Sequence, residues 1–154
     1  MIAVTSDMLG QLAATVFADS AFLTLEPAPH EVSWPAEVLI AEIPYEGVVV
    51  GRLILAASEP MLVEATADML RLDRKDALAA EAARATLAEL ANLLLGVLAG
   101  RFFDSERPCR MGLAVTRRGT WPRTDAGVRC SSVLVDGAQR PIAVALTTPA
   151  VRQT

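Results

Sequence analysis

The run Thr86-Leu-Ala-Glu89-Leu-Ala-Asn92-Leu-Leu-Leu-Gly96-Val-Leu-Ala-Gly100 constrains this chain more than any other segment. Its Ala and Leu content favours helix, and only Glu89 and Asn92 are polar between Leu87 and Gly100. At 3.6 residues per turn, positions three apart lie about 60° apart around the axis, so Glu89 and Asn92 share one side. Gly96 and Gly100 fall on that side too, with Ala85 and Ala88 at its edges. Leu87, Leu90, Leu94 and Leu98 line the opposite side. Each interior glycine lowers helix stability by roughly 1 kcal/mol relative to alanine, so two on one face suggest that close approach matters there. A solvated stripe accounts for a Glu and an Asn at this spacing, but Asn is a poorer helix former than the Gln, Glu or Lys that solvation alone would favour. The expectation is therefore an uninterrupted helix with a polar, glycine-bearing contact face and a leucine face in the core.

With 154 residues the chain suits one domain, spanning 1–154, with room for a substantial core. Apolar residues make up 53% and aromatic residues 5%, so that core is aliphatic, with few rings to grip a planar cofactor. A net charge of −4 and a pI near 5.0 argue against a nucleic-acid partner, which needs a basic patch. The densest basic cluster, Arg117-Arg118 with Arg123, reads as a solvated Gly/Pro-marked turn.

The N-terminus lacks the basic stretch of a secretory signal, and Leu87–Phe103 is too short, with Glu89 and Asn92 inside it, for a membrane span. A cytoplasmic protein without membrane insertion is expected, with Cys109 and Cys130 either as reduced thiols at or near strands or as neighbours across a sheet. The single histidine, His30, sits in a Pro-rich loop. Within one chain this leaves no His-rich zinc site, and no nucleophile-elbow sequence accompanies it.

Ser6 can cap a helix over Asp7–Asp19, and the proline-rich stretch Leu25–Pro35 should hold no helix. Val38–Ile43 and Val48–Leu55 read as strands joined by the turn Pro44-Tyr-Glu-Gly47. Ser58 caps a helix to about Arg71 with Pro60 in its first turn. The long helix runs from about Lys75 to Phe103, and Asp104–Pro108 ends it. Strands follow at Arg110–Thr116, Gly127–Val135 and Arg140–Thr147, the last two joined at Asp136-Gly137. This order predicts an α+β fold in which helices pack on a largely antiparallel sheet.

That element order, with Glu89-Leu-Ala-Asn92 and then Gly96 on the long helix, resembles the CheC/CheX/FliY group of chemotaxis phosphatases over nearly the whole chain. The hairpin with Glu46-Gly47 and Gly51 before Leu53-Ile-Leu55, and the helix from Glu59, are part of the likeness. It is similar to CheX in particular, because one helix motif is present where CheC and FliY commonly carry two. One departure is Val97-Leu98-Ala99 after Gly96, where the group often has Asn and a small or basic residue.

The resemblance implies a phosphatase acting on the aspartyl phosphate of a CheY-like response regulator. Asn92 would enter the regulator's active site and orient the attacking water, while Glu89 would pair with the regulator's active-site lysine. An amide both donates and accepts, so it can hold a water in line, and a carboxylate one turn away supplies a charge-assisted contact. No cofactor is implied in this chain, because the magnesium ion belongs to the regulator. A homodimer joined edge to edge through its sheets is implied too, with Val128–Val135 and Ile142–Thr147 apolar enough to make an unpaired edge a liability. The competing reading is a CheX-like module that binds a regulator or motor component without catalysis.

Overall fold

The computed structural model describes residues 4–47, 50–102, 109–122 and 127–147. Three helices, α1 (Ser6–Ala21), α2 (Glu59–Leu70) and α3 (Ala77–Phe102), accompany seven strands. These are β1 (Glu26–Pro27), β2 (Val38–Glu46), β3 (Val50–Ala57), β4 (Arg110–Met111), β5 (Val115–Gly119), β6 (Val128–Val135) and β7 (Pro141–Thr147). They form one sheet in the order β1-β6-β7-β3-β2-β4, with β5 also pairing β2, and every pairing is antiparallel. The α+β architecture agrees with the sequence reading.

The helices lie on one face. There α1 packs against β6 and β7, α3 crosses β2, β3 and β5, and α2 lies against α3 and α1. Alternate residues of the central strands (Leu39, Ala41 and Ile43; Leu53 and Leu55; Val144 and Leu146) meet Phe17, Leu62, Leu90 and Leu94 in the main core. Residues of opposite parity, Val38, Ile40, Ile54, Ala56, Ala143 and Ala145, form a smaller core on the other face, where Trp34 and Trp121 pack on them. Burial on both faces explains why β2, β3 and β7 are continuous apolar runs rather than alternating ones.

Several boundaries differ from the sequence reading. Thr5, not Ser6, caps α1, its hydroxyl accepting from Met8 N at 3.2 Å. The first strand of the hairpin does not end before Pro44 but continues to Glu46, with Pro44 opposite Arg52. Pro44 is tolerated because its carbonyl, and hence its missing N–H, faces the interruption between β4 and β5, where Gly112 N donates to Pro44 O at 2.8 Å. That interruption also splits the expected strand Arg110–Thr116 in two.

Arg117 and Arg118 lie in β5 rather than in a turn. Arg117 bonds Glu42, and Arg118 grips Glu59 with two bonds of 3.0 and 2.7 Å. A short strand, β1, lies within the proline-rich segment and pairs β6. The loop after β6 is longer than an Asp-Gly turn. Buried Asp136 accepts from Ala138 N, Arg140 N and Arg140 Nε, and Arg140 reaches Glu64 on α2 at 2.7 Å. Phe103, the stop at Asp104–Pro108, Arg123 and the strand start at Val48 lie outside the described residues.

Candidate functional site

The N-terminus of α3 is set by Asp76, whose carboxylate accepts from Leu78 N at 2.9 Å while its carbonyl accepts from Ala79 N at 3.1 Å. This capping starts the helix at Ala77 instead of Lys75. From there α3 runs 26 residues without a break. Leu87, Leu90, Leu94 and Leu98 are each 0% exposed. The leucine side is therefore fully committed to the core, and the other side is left outward.

Glu89 and Asn92 are both exposed on that outward side, together with Ala85, Gly96 and Gly100. A Cβ built on Gly96 or on Gly100 would meet no atom within 4 Å. Internal packing therefore does not require either glycine. Leu93 is 39% exposed beside Asn92, an apolar side chain that the wheel reading left unassigned. It lies one helical turn from both Glu89 and Gly96, so its position at the edge of the face was recoverable from spacing alone.

On one flank of α3, Arg118 and, at longer range, Arg84 face Glu59. The Arg118 guanidinium hydrogen-bonded to Glu59 holds that carboxyl below its ordinary range against the opposing effect of partial burial. A concavity of about 410 Å³ around Tyr45 and Met111, and one of about 650 Å³ around Trp34 and Trp121 on the other face of the sheet, are lined by strands and loops. Neither includes α3. Cys109 and Cys130 are not disulfide-bonded, and burial pushes the Cys109 thiol above its ordinary value. Among the described residues, no group of three or more His, Cys, Asp or Glu side chains could hold a metal ion.

An open helical face with one carboxylate, one amide and two unobstructed glycines suits a macromolecular surface better than a small molecule, which binds in concave sites. Solved structures give the fold its relatives. The structure of the CheX–CheY–BeF3–Mg2+ complex from Borrelia burgdorferi contains a chain that superposes with a TM-score of 0.67 at 14% identity, covering 90% of this chain and 94% of that one. The fold is that of the CheX and CheC-like chemotaxis proteins.

CheX from Vibrio vulnificus matches at a TM-score of 0.70 and 14% identity over 92% of this chain and 93% of its own. Thermotoga maritima FliY matches at 0.56 and 10% identity, over 96% and 92%. No protein-family model matches the sequence, and no curated protein sequence matches it.

Proposed function

We propose that this chain is a phosphatase for the aspartyl phosphate of a CheY-like response regulator. The observation that carries the proposal is the outward placement of Glu89 and Asn92 on one face of an unbroken helix within a CheX-like fold. Asn92 is the water-orienting residue. Its amide oxygen can accept a hydrogen bond from the water while its NH2 group donates one to a phosphoryl oxygen, and no proton is transferred to it. Glu89, three residues earlier, pairs with the regulator's active-site lysine and fixes the docked geometry. The regulator supplies magnesium and most of the charge stabilisation. Positioning is then a sufficient contribution from this chain, since a misplacement of about 1 Å can cost roughly 10²-fold in rate.

The proposal places the protein in the cytoplasm, with the regulator as its partner, and pairs two chains through a sheet edge. β7 cannot be that edge, because it lies between β3 and β6. β6 can in its earlier part, since β1 pairs with it at Leu134 and Val135 and Ala28 N adds one bond to Val133 O. The test is phosphate release from phosphorylated candidate regulators with and without the protein. Acceleration that disappears in Asn92→Ala supports the catalytic reading. Binding to the regulator without acceleration replaces it with the non-catalytic module.

A further inference from the structure

Between α2 and α3 lies a pair of buried hydroxyls, Thr66 at 1% exposure and Thr86 at 8%. Thr66 Oγ1 is 2.7 Å from Leu62 O and 2.8 Å from Thr86 Oγ1. A carbonyl only accepts and a hydroxyl carries one proton, so Thr66 donates to Leu62 and Thr86 donates to Thr66. The surrounding contacts of this helix pair are aliphatic, chiefly Leu62, Ala65, Ala83, Leu87 and Leu90. Close-packed aliphatic side chains already hold α3 against large rotations, while dispersion between them is weakly directional and constrains small angles less sharply. A buried hydrogen bond is directional, and losing it leaves a desolvated polar group unpaired.

Thr86 stands three residues before Glu89 and six before Asn92 on the same helix. Polar side-chain tips lie about 5–6 Å from a helix axis, so a rotation of about 10° would carry them about 1 Å. That is the scale on which a positioned water is lost. We propose that the Thr66–Thr86 hydroxyl pair is a positioning device that fixes the rotation of α3, and so the aim of Glu89 and Asn92 at the docked regulator. This rests on the phosphatase reading of that face.

Thr66→Val/Thr86→Val is the informative variant. Replacing both hydroxyls by methyls of similar size removes donor and acceptor together and leaves neither orphaned, so stability should stay near wild type. Phosphate release should fall about tenfold or more in kcat, with a smaller change in KM, and Thr66→Ser/Thr86→Ser should restore much of the rate. A double-valine protein that melts like wild type and turns over at the wild-type rate overturns the proposal. NMR gives a readout independent of activity. Backbone amide shifts should change along Glu89–Gly96, well beyond the substituted sites. Shifts confined to residues touching Thr66 and Thr86 overturn the positioning role. A wild type that never accelerates phosphate loss overturns the phosphatase reading instead, while those shifts still decide whether the pair sets the helix.

Discussion

Substituting Gly96 by alanine should make the protein more stable while making it a worse partner. Gly96 sits inside α3, six residues before its last residue, Phe102, and a Cβ there meets nothing within 4 Å. The only folding consequence is the smaller entropy that the unfolded chain loses, worth about 0.5–1 kcal/mol in favour of alanine. For a chain of this size that raises Tm by about 1–4 °C. Gly10 on α1 supplies the opposite case. A Cβ there would come 2.5 Å from Ser132 Oγ and 3.2 Å from Ser132 Cβ, so Gly10→Ala trades the same entropy gain for overpacking against β6. Overpacking of that kind costs typically about 1–3 kcal/mol, and the variant should melt lower. Thermal unfolding followed by circular dichroism checks both signs. Regulator affinity should fall in Gly96→Ala, because the added methyl stands on the face proposed for docking. Gly96→Ala melting at or below wild type refutes the open-face argument. A stabilised variant that docks as wild type does removes the glycine from the contact.

Asn92→Ala should lose most stimulated phosphate release, on the order of 10²-fold in kcat, with regulator binding and Tm near wild type. Full retained activity would remove its water-orienting role. Glu89→Ala should weaken docking as well, raising the Kd in a titration against a stable phospho-mimic regulator; an unchanged Kd would dismiss the lysine contact. The carboxyl of Glu59 is depressed by Arg118, so its contribution is fully present above the ordinary Glu value of about 4.3 and is lost as pH falls through the depressed folded value. The Tm gap between wild type and Glu59→Gln should therefore close as pH drops from 7 to 3, and a gap independent of pH would contradict that linkage. Light scattering at micromolar concentration should report a dimer, and a strict monomer would end the edge-pairing proposal.

The outward face of α3 was legible in the sequence because a helix places neighbours by its own period. Glu89, Asn92, Gly96 and Gly100 share a side, and Leu87, Leu90, Leu94 and Leu98 the other, whatever the helix packs against. The α+β class followed for the same reason, from runs of β-branched residues set between helical periods. Strand position in the sheet is a different matter. The apolar stretch Ile142–Thr147 reads the same at an edge as in the middle, and only its pairing with both β3 and β6 makes it central. Pro44 reads as a turn residue until the break between β4 and β5 is seen on the side where its N–H is missing. Arg118 meets Glu59 across 59 positions and Arg140 meets Glu64 across 76, so neither arginine could be assigned a partner from local pattern. Thr66 and Thr86 are ordinary threonines in two helical runs until α2 and α3 pack together. Periodicity encodes which way a side chain points from its own element, but the opposing surface is chosen by the burial of the whole chain, and that choice is made only in three dimensions.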